Sequence, residues 1–328
     1  MLTKLRIQRG LSLVELMVAL VIGLFLTGGI FAMFSMSATN VTTTSQYGQL
    51  QENGRIALAI LERDLTQLGF MGDITGTDFV RDGNTTVDAS IPSTGVDCVG
   101  AGINNETFPI NAPAHFRKLW GYESGVSVGS MTCLNSSGVV SGTDVLQLKR
   151  VVGPNVDATA LSSKRFYLAT TSNQAIFFSG AGAVPSLENA RYWEYQHHVY
   201  FIANNAAGVP ELRRKTLSAT GMSNDEQLVE GIENMRIMYG FDNDGDNTAD
   251  TYMPVQNVTP LMWDNELFQR LVSLRVYLLV RSIEPDRSYI NDVRYTLGDK
   301  VIDAPGDNFR RKVVSSTQVL ENPVLIRN

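Results

Sequence analysis

Between Leu11 and Gln51 the sequence carries one charged side chain, Glu15. Histidine is scarce, at three residues, and cysteine scarcer, at two. These shortages exclude a good deal. The histidines are His115 and the adjacent pair His197-His198, and neighbours in a strand point to opposite faces, so the pair cannot share a site. Gly-x-Ser-x-Gly, His-Glu-x-x-His and a phosphate-cradling glycine-rich loop are all missing. The chain does not read as an enzyme. Its formal charge is −6, and −9 without Lys4, Arg6 and Arg9. Such an acidic balance argues against nucleic acid or anionic lipid as the main partner.

What is present begins at the N-terminus. Three cations in the first ten residues precede an apolar run from Leu11 to about Met36. A run of that length spans a bilayer, which takes ~20 residues as a helix. The basic flank stays in the cytoplasm and everything downstream lies outside it. A secretory signal cut at Ser35-Met36-Ser37, leaving Ala38 first, is the alternative. Its apolar core would be too long, since such cores run to about 15 residues. Glu15 is the unusual feature, because a carboxylate inside a spanning helix costs roughly 2.5–3.5 kcal/mol on insertion scales. The bland reading places it at the headgroups, in reach of water.

Beyond the apolar run, Tyr47, Leu50, Gly54, Ala57, Leu58, Leu61, Leu65 and Leu68 recur at helical spacing. Gly69 supplies a stop. The helix from Leu11 to Leu68 would measure about 85 Å, and its poorest helix formers, Thr39 to Thr44, mark the expected break. Asp73 to Ser141, rich in Gly, Ser, Thr and Asn, reads as loops and short strands. Cys98 and Cys133 lie in this stretch without a Cys-x-x-Cys motif, and an even count in an oxidising compartment favours one disulfide.

From there β signals dominate. The expected strands are Asp144–Val152, Arg165–Thr170, Ala175–Ser179, Tyr195–Ala203, Leu212–Leu217, Asn234–Phe241, Leu271–Arg281 and Val313–Leu320. Gln227 to Glu233 reads as a turn or short helix. Val272, Leu274, Val276, Leu278 and Val280 share one face of a strand expected at the centre of a sheet packed on the long helix.

Gly10 followed by Leu11-Ser12-Leu13-Val14-Glu15-Leu16 resembles the class III signal of type IV prepilins, with Leu11 where that family usually has Phe. The resemblance implies that a prepilin peptidase cuts between Gly10 and Leu11 and methylates the Leu11 amine. It implies also that Glu15 is the assembly residue. In a helix bundle, one subunit's ammonium can neutralise the next subunit's carboxylate and remove two desolvation penalties together.

Longer segments narrow the resemblance to the PilW family of minor pilins. They are Leu50 to Leu58, Leu61 to Leu65, Gly69 to Gly72, Leu228 to Met235, Tyr239-Gly240, Val272 to Ser282 and Arg327-Asn328. The implied fold is α+β and type IV pilin-like, a long N-terminal helix packed on an antiparallel β-sheet domain. Residues 1–10 would be the cleaved leader, 11–36 the membrane and assembly helix, 37–69 its amphipathic continuation and 70–328 the β-rich domain. The implied function is structural, a minor pilin in a priming or tip complex that initiates pilus assembly. Partners would be other minor pilins and the major pilin, and the place the inner membrane, then the pilus. A J-type minor pseudopilin of type II secretion and a pilus-tip adhesin are the alternatives.

One stretch reads as a metal site. Asp242, Asp244, Asp246 and Asp250 stand at relative positions 1, 3, 5 and 9, with the Thr248 carbonyl at 7, which is Ca²⁺-loop spacing. Position 6 is Asn247, a residue tolerant of left-handed backbone, and position 12 is Met253 rather than Glu. A solvated acidic turn is the other reading. Tyr192, Trp193 and Tyr195 read as core, and Arg310-Arg311-Lys312 as a solvated strand edge.

Overall fold

The computed structural model describes residues 10, 12–92, 98, 100, 102–110, 115–126, 130–135, 137–222, 224–264 and 268–322. The chain divides into two units, residues 1–49 and 50–328. Helix α1 is assigned without interruption from Leu13 to Leu65. The expected break at Thr39–Thr44 is therefore helical, since weak intrinsic propensity yields to the turns formed on either side. The helix ends at Leu65, a turn short of expectation, and Gly69 follows at φ 79°.

In the second unit α1 buries Leu50, Ala57, Leu61 and Leu65, spaced for a single helical face. Two sheets take up that face. The first contains β1 (Thr85–Val87), β2 (Leu119–Glu123), β3 (Asp144–Val156), β4 (Phe166–Thr170), β5 (Ala175–Ser179), β6 (Arg191–Asn204), β7 (Pro210–Thr216) and β8 (Glu226–Glu230). Its order is β1-β5-β4-β6-β3-β2, with β7 also on β6 and β8 on β7. Only the β1–β5 pairing among these is parallel. The long β6 organises it: one edge pairs with β3, and the other pairs first with β4 and then with β7.

One segment of this sheet, expected as a turn or short helix, differs. Residues 226–230 form strand β8, not a turn or helix, because they complete the exposed edge of β7. The turn waits until Gly231, whose φ is 77°. An added Cβ there would lie 2.6 Å from the Arg281 carbonyl oxygen.

The second sheet begins with β9 (Ile232–Asp242), β10 (Thr251–Pro254) and, after the single-turn α2 (Pro260–Trp263), β11 (Arg270–Arg281). A small ribbon of β12 (Tyr295–Leu297) and β13 (Lys300–Ile302) precedes β14 (Arg311–Val319). The order β10-β9-β11-β14 is antiparallel throughout. β11 is central, as expected, and buries Leu274, Val276, Leu278 and Val280, while Val272 is half-buried beside a bulge. Arg310 and Arg311 are not a solvated edge. Arg310 pairs with Asp286 at 2.7 Å, and the buried Arg311 pairs with Glu233 and Asp307 at 2.5 and 2.6 Å.

Gly54 sets the approach of α1 to this sheet. A Cβ at position 54 would lie 3.0 Å from Val314 Cγ2 and 3.1 Å from Val280 Cγ2. Small residues permit such contact, and overpacking a filled interface costs about 1–3 kcal/mol. Gly54→Leu should therefore lower the urea midpoint of the full chain by a corresponding amount. An unchanged midpoint would show that α1 does not need this approach.

Candidate functional site

The N-terminal segment builds its own cap. Ser12 precedes the first helical residue, and its Oγ accepts from the Val14 N–H at 3.3 Å. Glu15 Oε2 accepts from the Ser12 N–H at 2.9 Å. Ser-x-x-Glu is the capping-box pattern, which satisfies N–H groups that a helix start leaves bare. Sequence reasoning singled out Glu15 for assembly and missed this local role, though the spacing announces it. Leu11, the expected first mature residue, lies outside the described residues, as do Lys4, Arg6 and Arg9.

Leu13–Ser37 is, among the described residues, the one helix long and apolar enough to cross a membrane. Its 25 residues would rise about 37 Å, more than the ~30 Å hydrocarbon core requires. Thr27 needs no outside partner, because its hydroxyl donates to the Gly23 carbonyl at 2.8 Å. Length and composition thus suit this helix to a membrane span.

In the second unit the 242–250 loop brings Asp242, Asp244 and Asp250 together, with one oxygen of each within 4.8 Å of the others. Asp246 is not part of that group. Asp242 Oδ1 accepts from the Asp244 and Gly245 N–H groups at 3.0 and 2.6 Å, and Oδ2 from Asn247 at 2.9 Å. These backbone donors, Gly245 foremost, hold the Asp242 carboxyl below its ordinary range. Asn247 takes φ 63°, the left-handed conformation its position demands. Cys98 and Cys133 are bonded, with Cα atoms 4.9 Å apart. The bridge closes a 35-residue separation.

A buried electrostatic cluster on α1 was not foreseen. Asp64 stands on α1 among Leu61, Leu65 and Leu68, where an acid on a buried stripe was the overlooked signal. Its Oδ1 accepts from Arg150 Nη2 on β3 at 2.6 Å. Its Oδ2 lies 2.5 Å from His198 Nδ1 and accepts from Tyr200 OH at 2.5 Å, both on β6. Burial alone would raise the Asp64 pKa; His198, Arg150 and Tyr200 outweigh it and hold the carboxyl well below the usual carboxylate range. An ionised Asp64 fixes the Nδ1–H tautomer of His198.

His197, one residue away, faces the other side of β6, as strand geometry requires. It pairs in register with the buried Lys149, whose Nζ donates to the Glu106 and Arg117 carbonyls at 2.6 and 2.9 Å. His197 is wholly buried and neither ring nitrogen has a hydrogen-bond partner. Trp193 and Tyr195 are core on that face. His115 sits apart from the pair, 3.6 Å from Asp78.

Burial, then the Lys149 and His198 charges, push the His197 pKa well below its ordinary value. Its neutral form is therefore the folded form. That contribution is complete above the unfolded value of about 6.5 and is lost as pH falls from there toward the folded value, at up to about 1.4 kcal/mol per unit. The urea midpoint should fall between pH 7.5 and pH 5.5, and His197→Leu should flatten the fall. Equal pH slopes for the two proteins would refute a neutral buried His197.

Two family models match the chain. One, described as Type IV pilus-assembly protein W, covers residues 199–322, from the second half of β6 through β14. The other, the prokaryotic N-terminal methylation motif, covers residues 5–31. Leu228–Met235, Tyr239-Gly240 and Val272–Ser282 fall within the first; Leu50–Gly72 falls in neither, and Arg327-Asn328 lies outside both and outside the described residues. No curated protein and no solved structure matches the chain.

Proposed function

Since the chain is a prepilin-type protein of the PilW family, we propose that it acts as a minor pilin, joining other minor pilins in a complex that primes assembly of the major subunit. Its role in this reading is structural rather than catalytic. Prepilin peptidase cuts after Gly10, the second unit stands in the periplasm, and the processed chain then passes from the inner membrane into the pilus. The observation that carries the reading is the methylation-motif match over the start of an apolar span, Leu13–Ser37, whose single charged side chain is Glu15.

The Glu15 contact with the Ser12 N–H suggests how such a step works. In an isolated subunit the carboxylate is occupied locally, at 2.9 Å. In a bundle it would instead accept a neighbour's terminal ammonium. An ion pair broken on one side in a dry interior costs about 3–5 kcal/mol, enough to decide recruitment. Glu15→Val should leave a cleaved, membrane-inserted protein beginning at Leu11 that is depleted from sheared pili. Wild-type abundance there would remove the assembly role. Gly10→Val should leave an uncleaved, membrane-inserted precursor, and normal trimming would count against prepilin processing. Deleting the gene should abolish surface pili; lost exoprotein secretion would indicate a pseudopilin, and lost attachment with intact pili an adhesin.

The proposal includes Ca²⁺ at the 242–250 loop. Three convergent carboxylates and a left-handed Asn247 support it. Asp242, Asp244, Asp250 and the Thr248 carbonyl would be ligands, with Asp246 drawn in on binding. A cation bound only by the folded state raises the thermal midpoint in proportion to its occupancy. Ca²⁺ should raise the midpoint of the chelator-treated protein, Mg²⁺ should do so less, and Asp244→Ala with Asp250→Ala should abolish the shift. No shift in the unaltered protein would leave a solvated acidic turn.

A further inference from the structure

Against a chain of net negative charge, one cleft of 680 Å³ in the second unit is cationic. Its walls carry Arg63, Arg150, Lys164, Arg165 and Arg214 against two carboxylates, Asp64 and Glu226. Three of these cations are already paired: Arg150 with Asp64 at 2.6 Å, Arg214 with Glu226 at 2.8 Å, and Arg165 with Glu194 at 3.4 Å. Arg63 and Lys164, both exposed, make no ion pair among the described residues.

The floor is also short of partners. Arg150 Nε and Thr216 Oγ1 belong to buried lining residues, and neither atom has a hydrogen-bond partner. Buried polar atoms are nearly always satisfied, so each exception asks for an explanation. Arg150 Nε–H can only donate and the Thr216 hydroxyl is able to donate, and Arg150 shares its one carboxylate with His198 and Tyr200. The field over the floor therefore stays positive, and a negative group held above it would be favoured in this partly desolvated setting.

We propose that this cleft is a docking site for an acidic peptide segment of a partner protein. Size argues for a peptide over a lone oxyanion, because 680 Å³ lies in the range of clefts that hold drug-sized ligands. The lining chemistry agrees. Gln67, Gln196 and Asn224 offer both donors and acceptors suited to peptide groups, and Glu226 accepts where a free polyanion would be repelled. A carboxylate side chain on that segment meets Arg63 and Lys164 at the rim. The inference goes beyond the pilus reading, which rests on the N-terminal helix.

The test uses the detergent-solubilised full chain and a fluorescent, end-capped peptide of alternating Glu and Gly, with its Gln counterpart as control. The Glu peptide should bind, weaken with added salt, and lose about tenfold in affinity on Arg63→Glu with Lys164→Glu, as rim charges act on encounter and register. Arg63→Gln with Lys164→Gln, made at the same exposed positions, should lose less, with the thermal midpoint of each variant unchanged. Equal binding of the Gln peptide, no binding of the Glu peptide, or full affinity in the charge-reversed variant would overturn the assignment. So would inorganic phosphate displacing the peptide at equal molar concentration, which would leave a simple anion site.

Discussion

The second unit depends on one buried carboxylate. Asp64 takes a donor from Arg150 on β3 and faces His198 and Tyr200 on β6, so a single helical residue joins α1 to two adjacent strands. Those strands are the middle of the first sheet, and β6 in turn holds β4 and β7. A buried charge tolerates few geometries, because every one of its donors must be met. Apolar packing along Leu50, Ala57, Leu61 and Leu65 would let a helix slide or rotate at modest cost. The shared carboxylate does not, and it sets the register of the helix on the sheet.

The same helix meets the second sheet by a different device. At Gly54 there is no side chain, and Val314 and Val280 stand 3.0 and 3.1 Å from where a Cβ would lie. One end of the interface is thus set by charge and the other by the absence of a Cβ. Arg236 ties the two sheets to each other, donating to Glu123 and Asp144 at 2.9 Å, while Asp144 accepts from the Ile237 N–H at 2.7 Å. Burial raises the Asp144 carboxyl to about 6 despite Arg236 beside it.

Elements with strong period were legible in the sequence. The stripe of α1 from Leu50 to Leu65, the alternation around Leu274–Val280 and the short β runs bounded by turn residues stand where the pattern placed them. What escaped was decided by partners distant in sequence. β8 is a strand because β7 offers it an edge, and Arg311 is buried because Glu233 and Asp307 meet it. Asp64 reads as an interruption of a stripe until Arg150 and His198 arrive from 86 and 134 residues away. At the N-terminus the reverse holds: Ser12 and Glu15 form a local motif, and the attention drawn by a membrane carboxylate hid the simpler bond.

The way α1 is fastened has a mechanical consequence. Its contacts on the domain run from Leu50 through Gly54 to Asp64, spread along the helix axis. A pull on the N-terminal end, directed along that axis, loads them in parallel, as shear, so the packed side chains and the ionic anchor must yield together. A pull across the axis would open them one after another, beginning at Leu50. Tension along the helix axis is therefore resisted by the whole interface, whereas a sideways peel meets it a residue at a time.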